Sequence, residues 1–259
     1  MSIDIIKAKQ EFRKYVKNYN EKDPQIKLKI EHIERTAQVA KKMAISLQLM
    51  EEDIKLAELI GLLHDIGRFE QIKKYHTFLD KDSINHGEFG VKILFEEGLI
   101  RKFIEETKYD EIIKNAILNH NRAKIDENLG PRETLHAKII RDSDKIDIFY
   151  ILTFDKTKTI YGVEDFSNQN ITDIIYEEFM ECKLIDYKHL ETEADSVVAH
   201  FAYVYDFYFD YSLKLIKDQC YLEKLYKRYK FNNKETMKRY NEIYNCAKKY
   251  ICDRLKIKI

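Results

Sequence analysis

Residues that break helices are rare in this chain. Two prolines and seven glycines are spread over 259 residues, and most other positions hold residues that helices accept, such as lysine, glutamate and leucine. Apolar residues recur at spacings of three and four, as in Ile33, Ala37 and Ala40, and sustained alternation of apolar and polar residues is absent. Because this period is that of an α-helix and few residues interrupt it, the sequence predicts an all-α protein.

The same periodicity places the helices along the chain. Asp23-Pro24 and Gly130-Pro131 predict helix starts, because proline is tolerated in a first turn and excluded from a helix interior. The weakly periodic residues 153–170 predict a loop between two groups of helices, and the aromatic-rich residues 201–211 predict part of a long helix packed on several sides. Helices are expected near residues 3–19, 25–49, 52–65, 84–97, 110–120, 132–153, 171–182, 191–217, 219–229 and 233–256.

Composition limits the class of protein and its partners. No Ser/Gly-rich linker divides the chain, so a single α-helical domain over residues 1–259 is expected, with a C-terminal helical extension at about 171–259 that packs on the core or forms a homodimer contact. Basic and acidic residues number 45 each, which predicts neither a nucleic-acid duplex nor a membrane as partner. The four cysteines form no C-x-x-C pair, and the N-terminus lacks the pattern of a signal peptide. A cytoplasmic protein is therefore expected.

A histidine and an aspartate follow an apolar run in the stretch GLLHDIGR, as His64 and Asp65. The run predicts a helix that delivers both side chains at its end, and Gly67 is expected to terminate that helix because glycine accepts the left-handed conformation common there. Imidazole and carboxylate are suitable ligands for a divalent metal. Two ligands make a poor site, so further ligands are expected elsewhere in the chain.

Three other histidines are the candidates for these further ligands, and asparagines lie next to two of them. His32 lies at the edge of the apolar stripe of its predicted helix, where its ring can face a neighbouring helix. His86 and His120 lie at a helix beginning and a helix end, from which side chains can reach a shared pocket. Asparagines next to these two histidines are candidate hydrogen-bond partners of the ligands: Asn85, Asn119 and Asn121.

The helix near 132–153 carries aspartates within an apolar run. Residues two apart on a helix point about 200° away from each other, so Asp142 and Asp144 cannot bind one metal from a regular helix. Asp144 shares the apolar face with Asp147, whereas Asp142 lies with Lys138 and Lys145. Asp144 is therefore the predicted ligand, and Asp142 is predicted to be a flanking charge.

The order His32, His64-Asp65, Asp144 resembles the HD-domain superfamily of metal-dependent phosphohydrolases, and residues 64–67 spell its HDIG variant. The resemblance covers about residues 28–150, and residues 32–40 and 142–147 resemble the flanking signatures of that family. It implies an irregular helical bundle of the HD-domain type with additional C-terminal helices. It also implies one metal ion held by His32, His64, Asp65 and Asp144.

Whether there is a second metal is left open by the resemblance. In family members with two metals, histidines at the positions of His86 and His120 complete the second site. The two-metal branch that hydrolyses cyclic dinucleotides has a further histidine where Asn121 stands here, and later a Gly-Tyr-Pro signature. This chain has no such tripeptide, which argues against that branch.

The function that follows is hydrolysis of a small phosphorylated molecule, a nucleotide by family analogy, through a water activated by a divalent metal. The metal is Mn, Mg, Co, Fe, Ni or Zn, since this ligand set accepts each of them. Asp65, or else Asp144, is the candidate for orienting the water. His86 and His120 are candidates for moving a proton or contacting phosphate.

Two cations are candidates for binding the phosphate: Arg68 and Lys145. Each has an alternative as a surface ion pair, Arg68 with Glu70 and Lys145 with Asp142 or Asp147. The more distant cations Lys74, Arg122 and Lys124 are weaker candidates, and ordinary structural roles are expected for His76, His136, His189 and His200.

Two other functions compete with hydrolysis. A sensor that binds a metal or nucleotide without turnover would keep the ligands and lack a catalytic acid. A minority of HD-like proteins resemble di-iron oxygenases, which use a fuller histidine set around two irons.

Overall fold

The computed structural model describes residues 3–258, in which no β-strand occurs, so the predicted all-α class is confirmed. Within the described residues, no helix combines the length and apolarity needed to cross a bilayer. The helices are α1 (Ile5–Val16), α2 (Pro24–Ser46), α3 (Glu51–Leu63), α4 (Gly67–Tyr75), α5 (His86–Val91), α6 (Ile100–Phe103), α7 (Asp110–His120), α8 (Pro131–Phe154), α9 (Thr157–Tyr161), α10 (Asp173–Met180), α11 (Glu193–Phe201), α12 (Asp210–Asp218), α13 (Tyr221–Arg228) and α14 (Lys234–Leu255).

The chain divides into two compact units, a first unit that reaches Asp147 and a second unit that begins at Ile148. All residues of the candidate site lie in the first unit. The expectation that the whole chain is a single domain stays a prediction.

Both helix starts predicted from proline are confirmed. The Asp23 carboxylate accepts a hydrogen bond from the backbone N–H of Gln25 at 2.8 Å, and Pro24 is the first residue of α2. Pro131 is the first residue of α8. In both helices proline occupies a position whose N–H would have no partner within the helix.

Close packing of α2 against α3 sets the position of the first two histidines. Gly61 lies so near α2 that a Cβ atom added to it would be 2.7 Å from the Cα atom of Ala37. The two backbones can therefore approach more closely than larger residues would allow. As a result, the ring of His32 in the middle of α2 lies 5.3 Å from the ring of His64 at the end of α3.

Gly67 begins α4, so the prediction that it terminates the preceding helix is wrong. Helix α3 ends at Leu63, and Gly67 is not among the glycines with positive φ. A Cβ atom on Gly67 would lie 2.5 Å from the carbonyl oxygen of His86 and 2.7 Å from the backbone nitrogen of Gly90. The absence of a side chain at Gly67 is what allows α5 to lie against the turn that carries Asp65.

The end of α7 is held by an arginine from α8. Arg141 is buried and donates hydrogen bonds to the carbonyl oxygens of Asn119 at 3.0 Å, Arg122 and Ala123. Carbonyls at a helix C-terminus have no partner within the helix, and a cation there also interacts favourably with the helix dipole. Arg141 thereby fixes the backbone around His120, the last residue of α7.

The long helix predicted at 191–217 is interrupted in the structure. Helix α11 is followed by a 3₁₀ turn at Ala202–Asp206 and then by extended backbone before α12. Arg254 of α14 donates hydrogen bonds to the carbonyl oxygens of Phe207 at 2.6 Å and Tyr208 at 3.0 Å. The interruption is tolerated because this tertiary contact satisfies the carbonyls it frees.

Three helices, α4, α6 and α9, lie where the sequence predicts none, and α6 has only four residues. In α4 the buried apolar residues Phe69 and Ile72 span a single helical turn, and α9 has five residues inside the segment predicted to be a loop. Elements this short carry too few apolar repeats for periodicity to identify them.

The contact at Gly67 predicts that a single methyl group there destabilises the first unit. We expect Gly67→Ala to lower the free energy of unfolding by about 1–3 kcal/mol, because the clash is with rigid backbone. Gly90→Ala is the matched control at the same contact, since its Cβ would find its nearest neighbour at 3.4 Å, an ordinary van der Waals distance. Urea unfolding of both variants checks this, and an equal midpoint for the two would contradict it.

Candidate metal centre

The structure brings six predicted site residues together in the first unit. They come from five helices or their ends, so the site depends on the packing of the whole unit. His32 lies in α2, His64 and Asp65 directly follow α3, and His86, His120 and Asp144 lie in α5, α7 and α8 respectively.

Four of these side chains form what we call the first donor set: His32, His64, Asp65 and Asp144. The Oδ1 atom of Asp144 lies 3.1 Å from Nε2 of His32 and 3.6 Å from Nε2 of His64. The Oδ2 atom of Asp65 lies 3.6 Å and 3.7 Å from the same two nitrogens. Two atoms that each lie about 2.1 Å from one ion are about 3.0–3.6 Å apart at ligand angles of about 90–120°. The spacing therefore fits a single divalent ion held by His32, His64 and Asp144, and Oδ2 of Asp65 lies at a similar distance from the two imidazole nitrogens.

The other oxygen of Asp65 faces a second donor set, formed with His86 and His120. Its Oδ1 atom lies 3.4 Å from Nε2 of His86 and 3.6 Å from Nε2 of His120. The two Nε2 atoms are 2.9 Å apart. Asp65 thus presents one oxygen to each donor set.

The hydrogen bonds at Nδ1 fix which nitrogen of each ring is available. Nδ1 of His64 contacts the carbonyl oxygen of Gly61 at 2.8 Å, and Nδ1 of His120 contacts that of Ile117 at 2.6 Å. A carbonyl oxygen only accepts, so Nδ1 carries the proton in both rings. The neutral ring then has a lone pair on Nε2, the atom that faces the donor set, as a metal ligand requires.

Carboxylates hold the Nδ1 atoms of the other two rings. Nδ1 of His32 lies 2.7 Å from Oδ2 of Asp147, and Nδ1 of His86 lies 2.6 Å from Oδ2 of Asp80. Because an ionised carboxylate only accepts, Nδ1 of His86 carries its proton and Nε2 has the lone pair. The Nε2 lone pairs of His86 and His120 therefore face each other, which is unfavourable unless a proton or a metal ion lies between them. Burial and the nearby Arg68 lower the pKa of His86 to about 4, so this ring is neutral at pH 7.

Among the buried atoms of the two donor sets, three have no hydrogen-bond partner: Nε2 of His32, Nε2 of His64 and Oδ1 of Asp65. A buried polar atom without a partner costs free energy comparable to a lost hydrogen bond. The atoms concerned are nitrogen and oxygen donors that suit divalent transition metals. The donor set therefore fits a metal ion by its chemistry as well as by its spacing.

The charges around the site keep both carboxylates ionised. Burial raises the pKa of Asp65, but Lys29 and the neighbouring imidazoles lower it more, so it lies well below its usual range. Burial likewise raises the pKa of Asp144, and the adjacent imidazoles of His32 and His64 lower it more, so it lies well below the usual range. Burial and Lys29 lower the pKa of His32, and Asp144 and Asp147 more than offset this, so it is raised. A metal ion must displace that proton, and its affinity decreases as the pH falls.

Sequence reasoning missed three charged residues that position the ligands. Lys29 donates a hydrogen bond to Oδ2 of Asp65 at 2.7 Å. Asp147 accepts hydrogen bonds from Nε of Arg35 at 2.6 Å and from its Nη2 at 3.0 Å while it holds His32. The signal for Asp147 was present, because it lies three residues after Asp144 on the same face of α8.

The third missed residue, Asp80, lies in the loop between α4 and α5. Besides His86, its carboxylate accepts hydrogen bonds from Gln71 at 2.9 Å and from Asn121 at 3.3 Å. Asn85 caps the start of α5 by accepting from the N–H of Glu88. These contacts fix the ring of His86, and no periodic pattern in the loop could have indicated Asp80.

The two predicted phosphate-binding cations lie in different surroundings from those expected. Arg68 donates to Oδ1 of Asp80 at 2.9 Å and to Oε1 of Gln71 at 2.8 Å, so the alternative ion pair with Glu70 is wrong. Lys145 and Asp142 are buried, with 7% and 0% of their surface exposed, as is Asp147. A surface ion pair of Lys145 is therefore excluded, and Asp142 is a buried charge. Whether Arg68 or Lys145 binds phosphate stays a prediction.

The remaining candidates lie outside both donor sets. The weaker cation candidates Lys74, Arg122 and Lys124 are exposed. His136 contacts Asp53 at 2.9 Å, and His189 contacts Glu178 at 2.7 Å. His200 contacts Tyr161, and His76 is exposed at the end of α4.

All six donor residues fall within one stretch of the chain that matches a known family. The family model of the HD domain matches residues 30–148. This match supports the resemblance to the HD-domain superfamily. Proteins with this domain are typically metal-dependent hydrolases. Comparisons with curated proteins and with solved structures find no match.

The first donor set predicts that His64 is required for metal binding. We expect His64→Gln to lose bound metal, because the substitution removes an Nε2 donor from the set. His136→Gln makes the same change at another buried histidine, outside the donor sets, and should keep the metal. Metal content per chain, measured by plasma mass spectrometry, checks this, and full metal content in His64→Gln would contradict it.

The contact between Asp147 and His32 predicts a weaker but measurable effect. Asp147→Asn leaves every donor atom in place and removes the charge that holds the ring, so we expect metal affinity to fall about 10- to 100-fold. The control is Asp53→Asn, which alters the carboxylate beside His136. Competition with a chromogenic chelator measures both affinities, and equal affinities would count against the role of Asp147.

Proposed function

We propose that this protein is a metal-dependent phosphohydrolase of the HDIG variant, acting on a small phosphorylated molecule, a nucleotide in our preferred case. The observation that carries the proposal is the carboxylate of Asp65, whose two oxygens face two separate sets of imidazole and carboxylate donors. The match of residues 30–148 to the HD domain supports it as well.

In this proposal His32, His64, Asp65 and Asp144 hold the first divalent ion. When bound, such an ion lowers the pKa of a coordinated water and polarises a phosphoryl oxygen. The chain's own groups supply orientation and proton handling. Asp65 and Asp144, both ionised, can accept a hydrogen bond from the attacking water and so orient it towards phosphorus.

We further propose that Asp65, His86 and His120 hold a second divalent ion. The 2.9 Å separation of the two Nε2 atoms supports a ligand role for both rings, because lone pairs at this distance require a cation between them. With one ion only, a proton held between the two Nε2 atoms would be the one given to the leaving oxygen.

Hydrolysis predicts release of phosphate by the metal-loaded protein. We expect turnover of nucleotides or simple phosphate esters with at least one of Mn, Co, Mg, Fe, Ni or Zn, and its loss in Asp65→Asn, which removes the shared charge of both donor sets. Asp53→Asn should keep the activity. Release of phosphate from a panel of monoesters, and release of the alcohol or nucleotide product from a panel of diesters, measures this.

The outcomes separate the competing functions. Bound metal without turnover of any ester would contradict hydrolysis and favour a sensor, most directly if His120→Ala still bound the same ligand. Two irons per chain together with oxygen uptake would favour an oxygenase.

The second ion predicts a change in stoichiometry. We expect His86→Gln and His120→Gln each to lower the metal content per chain relative to the wild type while the metal of the first donor set stays bound. Mass spectrometry of the native, metal-loaded proteins measures the number of ions directly. Equal stoichiometry in all three proteins would contradict a second ion at these residues.

A further inference from the structure

The cations near the donor sets differ in how many of their hydrogen-bond donors are already engaged. Arg35 is held by both oxygens of Asp147. Arg68 is held through Nη1 by Asp80, Gln71 and the carbonyl oxygen of Phe78, and its Nε has no hydrogen-bond partner and lies 3.7 Å from Oδ1 of Asp65. Lys145 has 7% of its surface exposed. Because the chain carries no net charge, an anionic substrate depends on local cations. Arg35 and Lys145 are poorly placed to contact one, and Arg68 faces the oxygen of Asp65 that belongs to the second donor set.

Lys29 is placed differently. It lies three residues before His32 on α2, so both side chains project from the same face of the helix. Its Nζ atom lies 2.7 Å from Oδ2 of Asp65, and 18% of its side chain is exposed. An ammonium group has three protons, and one of them is used in the bond to Asp65. Nζ also lies 5.8 Å from the centroid of the Phe78 ring.

The balance of charge singles out the same residue. Asp147 is paired with Arg35 and Asp80 with Arg68, so neither pair adds net charge to the site. The two carboxylates of the first donor set balance one divalent ion. Lys29 therefore adds positive charge beside the first donor set, where the carboxylates already balance the ion, and this charge favours an anion at that place.

We propose that Lys29 binds the phosphate group of the substrate, and that the substrate class is a phosphate monoester. The terminal phosphate of a monoester is a dianion with three non-bridging oxygens, whereas a diester carries one charge and two such oxygens. The remaining protons of the ammonium group and its charge therefore interact more strongly with a monoester. The choice of ligand rests on the proposed phosphohydrolase function.

Binding of orthophosphate to the metal-loaded protein tests this inference without requiring turnover. By calorimetry we expect Lys29→Gln to weaken orthophosphate binding about 10- to 100-fold, the range of a hydrogen bond to a charged group. Lys29→Arg should restore most of the affinity. Lys27→Gln is the matched control, because Lys27 lies on the same helix with 69% of its side chain exposed and contacts Glu31 instead.

Metal content is measured on each variant, which separates phosphate binding from a role in holding Asp65. Weaker orthophosphate binding with wild-type metal content supports the inference. Unchanged orthophosphate binding in Lys29→Gln overturns it, and so does loss of metal from that variant.

A measurement on the wild-type protein covers the case in which a variant does not fold. Orthophosphate should slow the labelling of Lys29 by an amine-reactive reagent and leave that of Lys27 unchanged, as read by peptide mass spectrometry. Equal labelling of Lys29 with and without orthophosphate overturns the inference.

The substrate class has its own readout. With p-nitrophenyl phosphate we expect Lys29→Gln to raise KM more than it lowers kcat, and we expect the wild type to hydrolyse this monoester faster than bis(p-nitrophenyl) phosphate. Faster hydrolysis of the diester overturns the monoester assignment. Absence of turnover together with Lys29-dependent orthophosphate binding would reject the proposed hydrolysis and leave phosphate binding by Lys29 intact.

Discussion

The arrangement of the candidate metal centre depends on the carboxylate of Asp65. This side chain is buried and lies between the two donor sets, with Oδ2 towards His32 and His64 and Oδ1 towards His86 and His120. A buried carboxylate is costly unless cations or hydrogen-bond donors surround it. The imidazoles and the ammonium group of Lys29 meet that need, and the close helix packing at Gly61 and Gly67 holds the histidines near it.

The histidines are oriented in two ways. His64 and His120 lie at the ends of α3 and α7, and each Nδ1 donates to the carbonyl oxygen three residues earlier in the same stretch. These two rings use a carbonyl that a helix end leaves without a partner. His32 and His86 are oriented by Asp147 and Asp80, which are distant from them in sequence or lie in a loop. All four rings consequently present Nε2 to the donor sets.

Local patterns were enough to predict the all-α class and the helix starts at Pro24 and Pro131, and they singled out the histidines and aspartates that the structure brings together. They could not identify contacts that arise from tertiary packing. Gly67 followed an apolar helix and was expected to end it, yet its role is to allow α5 to approach. The interruption after α11 depends on Arg254, a residue far along the chain, and Lys29 became part of the site through its contact with Asp65. In each case the partner in space, rather than the residue itself, determines the role.

An anomalous-difference map from a crystal of the manganese-loaded protein tests the candidate metal centre most directly. A peak is expected between His32, His64, Asp65 and Asp144, bonded to the two Nε2 atoms and to an oxygen of each carboxylate. A fully loaded protein whose map has no peak there, or whose manganese is bound by other residues, would contradict this metal centre.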